Sequence, residues 1–137
     1  GFVHRIDLYR ELAHRVWDAT ARGDVDSLLQ IYAPDVVMWV RGRNPLCGEY
    51  KGSTALLEQF ARSAELVDEL CLDLLEIYSS EDGALIRYRV EATRGEHRLD
   101  AEFHLSFRVA AGRIYEVEIV ATDPERTDAF WHEVVGS

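Results

Sequence analysis

The positions Phe2, Ile6, Tyr9, Ala13, Val16 and Thr20 recur at helical spacing, and Trp17 widens their stripe. That period predicts one long amphipathic helix, stopped near Gly23. Asp24 or Asp26 then caps a short second helix running to Tyr32. Ala33-Pro34-Asp35 breaks it, because proline disfavours helical backbone in the residue before it, and Val36 to Val40 is a β-rich run. Arg41 to Gly52 reads as a loop. Ser53 caps a third helix with Leu57, Phe60 and Ala64 on one face. From Cys71 the period changes to two. Four strands follow: Cys71 to Tyr78, Ala84 to Arg94, His97 to Val109 and Arg113 to Thr122, with turns at Glu81-Asp82-Gly83, Gly95-Glu96 and Ala110-Ala111-Gly112. Asp123-Pro124 ends the last strand, and Glu125 to Val135 forms a final helix carrying Phe130 and Trp131. Helices first and an antiparallel meander afterwards make an α+β domain in which helices cover one face of a curved sheet.

Composition narrows the partners. The 137 residues, 47% of them hydrophobic, suffice for one soluble globular domain and not comfortably for two. Twenty-five acidic against fifteen basic side chains give a formal charge of −10, which repels a phosphate backbone or an anionic membrane. No apolar run approaches the roughly 20 residues of a membrane span, and no signal-peptide pattern opens the chain. Cys47 and Cys71 stand apart without metal-ligand spacing, which fits reduced thiols in a cytoplasm. The five histidines are scattered, the serines lack a nucleophile elbow, and the glycines fit no phosphate loop, so neither a metal nor an organic cofactor is expected.

The element order, with GDVDSLLQIYAPDVVMWV over 23–40, RGRNPLCGEYKG over 41–52, AGRIYEVEIVATD over 111–123 and DAFW over 128–131, resembles the NTF2-like superfamily, nearest its SnoaL-like branch. The resemblance covers nearly the whole chain and implies a single SnoaL-like domain over 1–137. Its fold would be a cone-shaped, cystatin-like α+β barrel with a pocket between the first helix and the concave sheet face. That superfamily includes ketosteroid isomerases, epoxide hydrolases, polyketide cyclases, dehydratases and proteins that only bind partners, so the fold does not choose a function. Val16 falls where the isomerases place a hydrogen-bonding tyrosine, and Val40 where they place the proton-moving aspartate. Ile119 falls where the resembling cyclases carry an acidic general acid/base. Valine and isoleucine perform none of that chemistry.

Strand parity gives the expected lining. Leu99, Ala101, Phe103, Leu105, Phe107 and Val109 face inward on the third meander strand, and Val117, Ile119 and Ala121 on the last. With Met38, Val40 and Val16 they form an apolar wall suited to a hydrophobic, aromatic or polycyclic ligand, or else a cone packed solid with these same residues. Tyr88 is the best phenol for a substrate oxygen, and Tyr9 reaches the pocket mouth on the same terms. Arg41, Arg43 and Asn44 are candidates for a carboxylate or ketone, whereas Trp131 and Phe130 seal the sheet. His104, alternating with Asp100 and Glu102, is the second catalytic candidate, oriented as a general base by a carboxylate. Parity turns it to the convex face; a one-residue bulge in the last hairpin would turn it inward. By resemblance, that convex face joins a homodimer through Asp100, Glu102, His104, Arg87 and Arg89.

Three functions remain open. One is a cofactor-independent cyclase, isomerase or dehydratase acting on a hydrophobic polyketide- or steroid-like molecule of secondary metabolism. Another is a ligand carrier. The third is an interaction scaffold with a filled cone.

Overall fold

The computed structural model describes residues 2–136, with side chains from His4 onward; Phe2, counted in the first stripe, lies outside the described side chains. Helix α1 (Phe2–Arg22) buries Leu12, Ala13, Val16 and Ala19 along one face. It stops where Gly23 takes φ 65°, a left-handed turn that glycine adopts without Cβ strain. The backbone N–H of Asp24 closes that end on the Ala19 carbonyl at 2.9 Å. The Asp24 carboxylate then accepts from the Ser27 N–H at 3.2 Å and the Ser27 hydroxyl at 2.7 Å, capping α2 (Val25–Ile31).

Strand β1 (Tyr32–Val40) begins four residues earlier than the β-rich run suggested, so Tyr32 belongs to the sheet and not to the helix. Pro34 sits inside it, where the pairing jumps from Tyr32–Ile114 to Val37–Glu116. A residue without an N–H is tolerated at such an irregularity. The segment read as a loop contains a short edge strand, β2 (Gly48–Lys51), antiparallel to β1. Helix α3 (Ser53–Glu65) starts on Gly52, at φ 95°, with no side-chain cap; Ser53 is its buried first residue and not its cap.

Strands β3 (Glu69–Ser79), β4 (Gly83–Arg94), β5 (His97–Ala110) and β6 (Arg113–Ala121) form the expected meander, followed by α4 (Pro124–Gly136). The six strands run β2-β1-β6-β5-β4-β3 in one curved, unclosed sheet. It is mixed rather than wholly antiparallel, because β1 lies parallel to β6. The architecture is α+β, with α1, α2 and α3 on the concave face around Met38, Leu56, Ile86, Phe107 and Val117. A second cluster joins α4 to β4 and β5 through Val90, Leu99, Phe130, Trp131 and Val134. No helix among the described residues is long and apolar enough to cross a membrane.

The last hairpin does carry an irregularity. Arg108 faces Glu116 and Val109 faces Ile114, which leaves Tyr115 as an extra residue on β6. Its effect falls on Ile114, which turns inward and is wholly buried. Leu105 still faces Ile119, and Phe107 still faces Val117, so the inward parity of β5 is unchanged.

Candidate functional site

The two core clusters do not meet everywhere. Between them lies a cavity of about 220 Å³. The last turns of α1 supply Val16, Trp17 and Thr20, α3 supplies Gln59, Phe60, Ser63 and Ala64, and α4 supplies Thr127 and Trp131. The sheet supplies the floor: Tyr32 and Val40, then Ile86, Tyr88 and Val90, then Phe103, Leu105, Ile119 and Ala121. Arg41, Asn44, Leu46 and Cys47 form part of the rim.

Of the residues expected at a pocket, Val16, Val40, Tyr88, Phe103, Leu105 and Ile119 border this void. Met38, Phe107 and Val117 do not; they are 0%, 3% and 1% exposed, packed among Leu28, Ile31 and Leu56. They share strand parity with the lining residues but sit where α2 and α3 close down on the sheet. Tyr9 is also outside the lining. It lies seven residues before Val16, about 10 Å back along the helix axis, whereas the cavity runs from Val16 towards Thr20. Trp131, expected only to seal the sheet, is part of the wall.

His104 is on the convex face. Its Nε2 lies 2.9 Å from the Glu102 carboxylate, which Arg87 Nε also reaches at 3.1 Å. Arg89 forks onto Asp100 through two bonds of 2.7 Å. The His104 contact, aided by Arg87, holds Glu102 below the usual carboxylate range, and Arg89 does the same for Asp100. This is a charged outer surface, and His104 is not placed to serve as a base inside the cavity.

Most polar groups on the wall are already engaged. The hydroxyls of Thr20, Ser63 and Thr127 donate to backbone carbonyls three or four residues earlier, at Val16, Phe60 and Asp123. Asn44 donates to Asp128 at 2.7 Å and accepts from the Leu46 N–H at 2.9 Å. Arg41 reaches Glu118 at 2.8 Å with its guanidinium over the Trp39 ring. Arg43 is absent from the lining; its backbone N–H donates to Asp128, and its carbonyl accepts from His132. Burial pushes the Cys47 thiol up, so it stays protonated.

The phenols of Tyr32 and Tyr88 differ. Neither makes a hydrogen bond with the described protein groups, and burial pushes both far above the ordinary tyrosine range. Among the described residues, Ser79 Oγ alone is both sealed and unpaired, so the two hydroxyls open on the cavity. The Tyr88 ring is held between Trp17, with centroids 5.4 Å apart, and Phe103, stacked at 5.7 Å. Gln59 is a third unengaged polar group, buried on α3. Sequence reasoning missed Tyr32 and Gln59. Tyr32 was assigned to the end of a helix, while Gln59 carried a readable signal, a polar side chain one turn after the buried Leu56.

Among the described residues, no Asp, Glu, His or Lys borders the cavity. Among the described residues, no three acidic, histidine or cysteine side chains gather as a metal site.

Comparison with known proteins places the fold in a family. The SnoaL-like domain family matches residues 13–117. An uncharacterised protein of Mycobacterium tuberculosis is 33% identical over 123 residues, spanning 88% of this chain and 94% of its own. Among solved structures, Bal32a from a soil-derived mobile gene cassette superposes with a TM-score of 0.87 at 26% identity, over 93% of this chain and 98% of its own. A putative SnoaL-like polyketide cyclase from Jannaschia gives 0.74 at 13% identity, over 89% and 90%. With its helices on the concave face of an open six-stranded sheet, this chain belongs to the SnoaL-like domain family, within the NTF2-like fold.

Proposed function

We infer that the protein binds a hydrophobic small molecule in the cavity and acts on it as a cofactor-independent catalyst of ring closure or isomerisation, by positioning rather than by its own acid–base group. One observation carries this reading: the void is walled by aromatic and aliphatic side chains and, among the described residues, bordered by no carboxylate, imidazole or ammonium. Such a wall desolvates a substrate and selects one folded conformer, which is where an intramolecular reaction gains most. It offers no base to remove a proton at neutral pH. Membership of a family with polyketide-cyclase-like neighbours supports the catalytic half of the reading.

The carrier reading draws on the same missing base, since holding a ligand needs only the cavity. Thermal unfolding against hydrophobic ketones, polyketide fragments and aromatic acids reports binding, because a ligand of the folded state alone raises the midpoint. Compounds that bind are then assayed for conversion with and without protein. Binding with rate enhancement supports catalysis; binding without it assigns a carrier; no binding by any compound rejects both. The proposal includes a homodimer through the charged convex face, which sedimentation equilibrium of wild type and Arg89→Glu tests.

A further inference from the structure

We propose that Tyr32 and Tyr88 form a two-point hydrogen-bond clamp for an uncharged ligand oxygen, and that the ligand is a compact aromatic ketone or quinone of one or two rings. This rests on the reading of the cavity as a small-molecule site.

The two phenols enter the same void from different strands, β1 and β4, and neither has a hydrogen-bond partner among the described residues. A neutral phenol is a better donor than acceptor, because its lone pair is shared with the ring. Two such donors on one apolar void therefore suit a carbonyl oxygen, which offers two lone pairs. Tyr88 cannot swing away freely, since Trp17 and Phe103 hold its ring. Those rings, with Phe60 and Trp131, present aromatic faces and edges to a flat ligand.

Charge and size narrow the class. Arg41, the one cation among the described residues of the lining, is committed to Glu118 and stacked on Trp39. A carboxylate drawn into this cavity would be buried without a counter-charge, in a chain of net charge −10. An engineered cavity of about 150 Å³ holds benzene; about 220 Å³ here accommodates one or two rings. A four-ring steroid would have to leave much of itself outside.

The test uses three probes of one shape on the full chain by titration calorimetry: α-tetralone, the hydrocarbon tetralin, and α-naphthoate. We expect α-tetralone to bind at least about ten-fold tighter than tetralin, two neutral hydrogen bonds each giving about two- to ten-fold, and α-naphthoate not to bind. Tyr32→Phe and Tyr88→Phe should each weaken α-tetralone about five-fold while leaving tetralin unchanged, with melting curves confirming that both fold. Equal binding of ketone and hydrocarbon, or equal losses for both in the variants, overturns the clamp and leaves the cavity reading standing. Tight naphthoate binding overturns the uncharged-ligand selection. Failure of all three probes, in a protein whose Val16→Trp variant is likewise unaltered towards the wider panel, removes the cavity reading and the clamp with it.

Discussion

Removing the Tyr32 hydroxyl should stabilise the ligand-free protein, the reverse of what this substitution does when the hydroxyl is bonded. Tyr32 is 1% exposed, and its hydroxyl has no hydrogen-bond partner among the described residues. A buried hydroxyl left unpaired costs about 1–3 kcal/mol, and water entering the cavity recovers part of that. The expected gain for Tyr32→Phe is therefore about 1 kcal/mol, or roughly 3–5 °C in Tm for a chain of this size. Tyr50 supplies the control with the opposite sign. Its hydroxyl donates to the Leu46 carbonyl at 2.7 Å, so Tyr50→Phe should lose about 1 kcal/mol. Urea unfolding of the two variants and wild type, at matched slopes, gives both numbers. Equal losses in the two would show that Tyr32 has a partner in solution, and would refute the argument that its hydroxyl is kept for a ligand at the expense of stability.

Four other outcomes are expected. Because burial raises Tyr32 and Tyr88, their contribution is complete below the unfolded tyrosine value near about 10 and is lost as pH rises past it. Tyrosinate absorbance should therefore show two of the six tyrosines ionising only on alkaline unfolding; six ionising together in the folded protein would contradict this. Glu102, Asp100 and Asp24 are all lowered, so their stabilisation holds above about pH 4 and fades as pH falls further, an acid loss that high salt should reduce and that a flat acid profile would exclude. Gly83→Ala would drive a Cβ into the Phe107 carbonyl across the β4–β5 pair, costing more than about 2 kcal/mol; a loss under about 0.5 would mean that the strands separate easily. Asp128 holds the Arg43 N–H and the Asn44 amide, so Asp128→Ala should free α4 and the rim together and speed amide exchange in α4, whereas unchanged exchange would show that the apolar contacts of Phe130 and Trp131 suffice.

Local period was enough to place α1, α3, α4 and the meander, because each buries one face and side-chain spacing follows directly from backbone geometry. Parity was likewise enough to put Phe103, Leu105 and Ile119 on one face and His104 on the other. The chain alone also offered Val16, Val40 and Ile119 for the pocket, and all three border the cavity with side chains that carry no ionisable group. Position in space decided the rest. Pairing partners far apart in sequence made β1 parallel to β6, drew Tyr32 into a strand past Pro34, and gave β2 an edge to bind, and no local pattern encodes a partner 80 residues away. Met38 and Val40 have the same parity on one strand, yet one is core and the other cavity wall. That difference depends on where α1, α3 and α4 stand off from the sheet, a distance set by every side chain packed between them and legible only once they are packed.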